Sequence, residues 1–301
     1  MNGTVHYTVC PVCGSKEINP LHAVKDYTVS GKEFVIWQCG QCTLRFTQDV
    51  PDAASIGPYY KAEDYISHTD ESKGLLTTLY KRVRAYTLGQ KADLIKRETG
   101  IETGHMLDVG CGTGAFLNAM KTAGWQVSGV EPDSDARNMA RKLYGLEVSA
   151  PEALAQFAPA SFDAITLWHV LEHVHELHPY MEQLKTLLKP NGRIFIAVPN
   201  YRSVDADVYR LQWAAYDVPR HLYHFTPKAI ETLLQQHGLQ LAAQKPMWFD
   251  SFYISLLSSK YRNGKKPSWL HAGITGLRSN LTALAQPDRC SSLIYVMEKV
   301  K

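Results

Sequence analysis

The sequence predicts an α/β chain: a doubly wound sheet preceded by a small four-cysteine head. Three observations carry this. Gly110, Gly112 and Gly114 form a tight turn between an apolar strand and a helix. Beyond it, strand-like and helix-like stretches alternate, as in a parallel sheet with helices on both faces. Two C-x-x-C pairs, Cys10/Cys13 and Cys39/Cys42, stand ahead of both features.

The 301 residues are enough for two domains. With 32 basic and 29 acidic residues, the net charge points to neither a nucleic-acid polyelectrolyte nor a membrane-surface binder. The basic runs KRVR (81–84) and YRNGKK (261–266) read as solvated faces. No stretch reaches the roughly 18 apolar residues of a membrane span. The start, MNGTVHYTVC, has no charged segment followed by an apolar run. The expectation is a cytoplasmic protein with no membrane partner and reduced thiols.

Residues 1–50 read as a zinc ribbon. Gly14 after Cys13 and Gly40 after Cys39 allow each knuckle to turn its backbone N–H groups toward the sulfurs. YTVSGKEFVIWQC between the pairs alternates like a hairpin around Ser30-Gly31. The alternative is four unligated thiols or a redox pair. Four thiolates would leave no open position, so the Zn2+ is expected to be structural. Residues 51–100 read as a connector, rich in Pro and Gly at 51–60, followed by helical spacing from about Leu75 to Glu98.

HMLDVGCGTGAFLNAMKTAGWQVSGVEPD (105–133) reads as strand, glycine turn, helix and second strand, ending at Glu131. The third glycine comes one residue too early for a dinucleotide fingerprint, and Asp108 stands two residues before the first. D-V-G-C-G-T-G with a downstream V-E-P-D resembles the motifs of class I S-adenosylmethionine-dependent methyltransferases. The resemblance implies a seven-stranded Rossmann-like sheet of order 3-2-1-4-5-7-6 over residues 101–301. It implies that Asp108, Gly110, Cys111, Gly112, Gly114, Glu131, Pro132 and Trp168 line the S-adenosylmethionine site, with Glu131 on the ribose. Cys111 reads as a small loop residue, since no base is patterned beside it. A turn binding NAD, or no ligand, is the other reading of the glycines.

The later elements fit the same order. LEVSAPEAL (146–154) reads as strand three and its turn, and SFDAITLWHV (161–170) as strand four. PYMEQLKTLLKPNG reads as a helix closed by a Pro-Asn-Gly turn before strand five at 193–200. QLAAQKPMWFD and CSSLIYVMEKV read as an antiparallel closing pair, interrupted by an insertion at 250–288.

WHVLEHVHELH (168–178) spells H-x-x-E-H, the inverted zinc-peptidase signature, with His169, Glu172 and His173 on one face if helical. A peptidase would leave the glycine turn unexplained. The segment begins where strand four ends, and ligands of such sheets sit beyond the carboxyl ends of the strands. It resembles the piece after strand four in ubiquinone-biosynthesis-type O-methyltransferases, some of which hold a divalent cation there. Three roles stay open: His173 or His169 as general base, His169/Glu172/His173 as a metal set, or histidines that cap the strand. His175 and His178 fall off that face and are expected to be solvated.

Residues 201–226 read as a lid, whose WAAYDVPRHLYHF carries His221 and His224. P-x-H-L-x-x-F-T, and the connector YYKAEDYISHTDESKG (59–74), resemble small-molecule methyltransferases with an N-terminal ribbon, among them sugar C-methyltransferases. An aromatic stripe packing the lid is the plainer alternative. The function read from this is methyl transfer from S-adenosylmethionine to a small-molecule O- or C-acceptor, with base candidates ranked His173, then His221, with His169 beside His173. The rivals are an RNA methyltransferase using the ribbon to read RNA, which the balanced charge argues against, and a cofactor-holding scaffold without catalysis. Oligomeric state is not legible.

Overall fold

The computed structural model describes residues 3–60, 75–264 and 266–300. Most of the 59–74 connector therefore lies outside the described residues.

The head is built from β1 (Thr4–Val5), β2 (Ile18–Lys25), β3 (Glu33–Cys39), β4 (Arg45–Thr47) and β5 (Val50–Pro51). β2 and β3 form the expected hairpin. Asp26 organises its turn by accepting from the Thr28, Val29 and Ser30 N–H groups. One helix, α1 (Leu75–Thr99), fills the predicted helical stretch and stops at Gly100, whose φ is 72°.

The next elements are β6 (His105–Val109), α2 (Ala115–Thr122), β7 (Gln126–Val130), α3 (Ser134–Tyr144), β8 (Phe162–Trp168), α4 (Leu177–Leu187) and β9 (Leu188–Pro199). After them come α5 (Val204–Tyr209), β10 (Tyr223–His224), α6 (Pro227–Gln236), β11 (Leu239–Pro246), α7 (Asp250–Asn263), α8 (Trp269–Ala285) and β12 (Ser292–Lys299). The central sheet runs β11-β12-β9-β8-β6-β7, with β9, β8, β6 and β7 parallel and β12 and β11 antiparallel.

Two expectations need correcting. Among the described residues the sheet has six strands: at the position of the expected strand three, a single bridge joins Val130 to Ser149 before a 3-10 turn over Pro151–Gln156. The alanine-rich PEALAQ favours that turn over extended chain. Pro190-Asn191-Gly192 does not close a helix either. α4 ends at Leu187, and those residues bulge within β9, between the Phe162–Leu188 and Ala164–Arg193 pairings.

The head and the sheet are continuous. Cys39, Leu44 and Phe46 share one apolar cluster with Leu107, Ile165 and Leu233. β10, from the segment expected to be a lid, pairs with β4 as the outer strand of the head's sheet, β10-β4-β3-β2. The side chains of that segment are largely buried.

Candidate active site

The strand ends converge on one face. Gly110 and Gly112 have φ of 68° and 53°, a region glycine enters without penalty. A Cβ on Gly110 would sit 2.6 Å from Val170 Cγ2, so the turn excludes any side chain there. A Cβ on Gly112 would meet nothing within 4 Å, so the turn opens onto free space at that point. The Glu131 carboxylate follows β7 and accepts from the Gly112 N–H at 2.8 Å and the Asp133 N–H at 2.9 Å. Burial raises its pKa, and those two donors partly offset the rise. Pro132 offers its carbonyl to Arg137 at 2.8 Å.

Asp108 is buried at the end of β6 and accepts from the Thr166 hydroxyl at 2.6 Å. Burial pushes its pKa up to about 7, against the pull of Thr166 and Lys91. Burial and the charges of Asp108 and Glu131 likewise raise the Cys111 thiol, which disfavours a thiolate nucleophile. Trp168 ends β8, and its indole N–H is buried without an acceptor among the described residues. Lys91 of α1 holds its ammonium 4.1 Å from the centre of the Trp168 ring. Burial lowers the Lys91 pKa, while Asp250 and Asp108 raise it. The sequence reading missed Lys91, since a lysine in a connecting helix carries no signal of where it points.

The histidine segment is not an α-helix. His169 has φ 57°, and Leu171–His173 form one 3-10 turn. The H-x-x-E-H spelling therefore lacks the helical face that a zinc peptidase needs. His169 turns to Asp250, with Nε2 2.8 Å from Oδ2, and to Glu172 Oε1 at 3.3 Å. Burial opposes its charge, but the two carboxylates outweigh that and hold its pKa up to about 10. A histidine so charged has no lone pair with which to act as a base near neutrality.

His173 instead meets His221, with ring centres 4.7 Å apart. Each commits Nδ1 to a backbone carbonyl: His173 to Arg220 at 2.9 Å, His221 to Ala215 at 2.8 Å. Nε2 of each is then the nitrogen left with a lone pair. Burial, then the neighbouring His221, pushes the His173 pKa down to about 4. Glu172 is fully buried, and its Oε2 has no donor among the described residues. Glu172, His173 and His221 offer ligand atoms all within 4.8 Å of one another. The set that could hold a cation thus includes His221 in place of His169. Asp217 and Arg220 brace the loop beside it. Arg220 is buried, pairs with Asp217, and also donates to the Tyr59 carbonyl and the Thr28 hydroxyl.

His175 and His178 are hydrogen-bonded to the protein, contrary to the solvated positions expected of them. His175 Nε2 lies 2.9 Å from the Pro51 carbonyl, and His178 Nδ1 lies 2.8 Å from His237 Nε2. His224 is buried edge-on against Tyr216.

A family model described as a methyltransferase domain matches residues 80–244, more than half of the chain. The chain belongs to this methyltransferase family. Membership places it among class I S-adenosylmethionine-dependent methyltransferases. A ubiquinone biosynthesis O-methyltransferase of Paraburkholderia phymatum is 36% identical over 119 residues, covering 37% of this chain and 50% of that protein. The same-named protein of Chromobacterium violaceum is 29% identical over 175 residues, covering 53% of this chain and 75% of its own length. The match thus spans from half to three-quarters of these relatives. In fold, the chain is similar to Haemonchus contortus phosphoethanolamine N-methyltransferase 2, solved with S-adenosyl-L-methionine, at TM-score 0.51 and 19% identity, covering 85% of this chain and 63% of that one.

Apart from this site, the four head cysteines cluster. Cys10 and Cys42 sulfurs lie 3.5 Å apart, as do those of Cys13 and Cys39, and all four fall within 4.8 Å of one another. Tetrahedral Zn–S bonds of about 2.3 Å require S···S distances of about 3.8 Å. The cluster fits one structural Zn2+.

Proposed function

We propose that the protein transfers a methyl group from S-adenosylmethionine to a small-molecule acceptor with an ionisable hydroxyl or carbon. The observation that carries this is the Glu172–His173–His221 trio at the end of β8, beside the glycine turn at the end of β6. When bound, S-adenosylmethionine supplies a methyl already activated by its sulfonium. Three features fit that molecule: the open space at Gly112, the uncapped Trp168 indole N–H, and the Lys91 ammonium suited to a carboxylate. Glu131 retains acceptor capacity for ribose hydroxyls beyond its two backbone donors. His173 takes the acceptor proton on Nε2, with its ring fixed by the Arg220 carbonyl. Holding acceptor and methyl in line contributes several kcal/mol, about 7 or more in the best intramolecular cases.

A separate cleft of about 890 Å³ lies between the head's sheet and α5 and shares no lining residue with the trio or the glycine turn, so it carries no argument about the acceptor. Turnover on a panel of neutral and anionic metabolites, run beside bulk RNA, tests the small-molecule reading. Methylation of RNA alone would overturn it, and cofactor binding without turnover on any acceptor would leave the scaffold reading.

A divalent cation at the trio is the second reading, favoured by the donorless Glu172 Oε2. Protein that holds one zinc per chain, the equivalent bound by the four head cysteines, is expected to keep its turnover under the base reading. Activity restored only by added Mg2+ would select the cation.

Two cofactor predictions follow from geometry. Glu131→Ala is expected to cost about 1.5–3 kcal/mol for each ribose hydrogen bond lost. Lys91→Met is expected to weaken binding by about tenfold, one charge-assisted bond. Calorimetry with S-adenosylhomocysteine measures both, and unchanged affinity in either variant removes that residue from the site.

A further inference from the structure

α7 and α8 are built inside out. α8 buries Ala272, Gly276, Ser279 and Ala283, while α7 buries Ser251, Ser255, Ser258 and Ser259. A Cβ on Gly276 would fall 2.7 Å from the Phe252 ring, so the two helices approach closely there. The large apolar residues of α8 face outward: Trp269, Leu270, Ile274, Leu277, Leu281 and Leu284 are between 52% and 77% exposed. From Leu270 they recur at steps of four and three, which makes one continuous stripe along the helix. A helix in water normally turns its largest apolar side chains inward. Packing through small residues with leucines outward is how helices arrange themselves against lipid.

Charge selects the occupant. Residues 251–287 contain Lys260, Arg262, Lys265, Lys266 and Arg278, and no aspartate or glutamate. Arg278 lies on α8, and Lys266 lies three residues before Trp269. A second copy docked through this patch would add a second set of these cations, and the first acid beyond the segment in sequence is Asp288, three residues past α8. An anionic lipid surface complements both the stripe and the charge. Among the described residues no helix is long and apolar enough to cross a membrane. α8, with 17 residues, spans about 25 Å and would lie along the surface.

We propose that the α7–α8 hairpin seats the protein on an anionic phospholipid surface, with the leucine stripe of α8 at the headgroup boundary. Flotation of the full-length, zinc-loaded protein with phosphatidylcholine vesicles, with and without about 30% phosphatidylglycerol, tests this. Recovery is expected with the anionic vesicles, falling steeply in about 0.5 M salt. Leu277→Ser with Leu281→Ser, and separately Lys266→Glu with Arg278→Glu, are each expected to cut recovery by about tenfold or more. Those side chains are solvent-facing, so unchanged melting and S-adenosylhomocysteine binding confirm that the variants are folded. Three results would overturn the proposal: no recovery of the wild type, equal recovery on neutral and anionic vesicles, or a wild-type dimer in sedimentation velocity that the serine variant converts to monomer.

Discussion

Replacing His173 by alanine is expected to lower turnover by about 10²–10⁴ while leaving cofactor affinity unchanged. The ring is half-buried at the end of β8, and its Nδ1 is committed to the Arg220 carbonyl, so the proton-accepting nitrogen is fixed in place. Its position on the sheet favours it over His221, which sits in the segment after α5. The pH dependence follows from its surroundings. Burial and His221 hold the free-enzyme pKa down to about 4, so the base form predominates above that value. The acid limb of kcat/KM is therefore expected near pH 4, well below the ordinary histidine value of about 6.5. His169, kept protonated by Asp250 and Glu172, should contribute no such limb. A His173→Ala enzyme with near-normal turnover would move the role to His221.

Cys39→Ser is expected to abolish stoichiometric zinc and to unfold the head, because structural zinc contributes about 10 kcal/mol or more to small ribbons. The damage should spread. β4 pairs with β10, Thr47 Oγ1 donates to the His221 carbonyl at 2.7 Å, and the Tyr201 hydroxyl donates to the Thr43 carbonyl at 2.5 Å. Turnover is expected to fall further than cofactor affinity, since the glycine turn and Glu131 make none of these contacts. Elemental analysis, thermal melting and calorimetry on one preparation separate the effects. A metal-free wild type that melts at the same temperature as the zinc-loaded protein would refute the structural role.

The parts of this molecule legible in sequence are the local ones. The glycine turn, its flanking strands and Glu131 fall within 30 residues, so their spacing alone implies their geometry. The four cysteines announce themselves by residue type and paired spacing. What stayed hidden depends on distant contacts. His169 meets Asp250, and His173 meets His221, across stretches that leave no periodic trace. Lys91 reaches Trp168 because α1 packs under the sheet, which nothing in LLTTLYKRVRAYTLGQKADLIKRE declares. LEVSAPEAL has strand-like residues, but only Ser149 bridges to β7 before the chain turns at Pro151–Gln156, a competition between extended and turned chain that residue type alone does not decide.

The β4–β10 pairing also sets an order of events during synthesis. Residues 1–50 leave the ribosome before the strands of the central sheet, and their four thiols can gather a zinc ion at once. Yet the partner of Phe46 is Tyr223, about 180 residues downstream. Until that point emerges, β4 is an open edge with unpaired N–H and C=O groups, a template for the wrong strand. The head, made ahead of the central sheet, is thus completed only once β10 has emerged, and such non-local closure is slow. Expressed alone as a fragment, the head would carry that open edge permanently. A graft of it onto another methyltransferase sheet would need the 223–224 strand to travel with it.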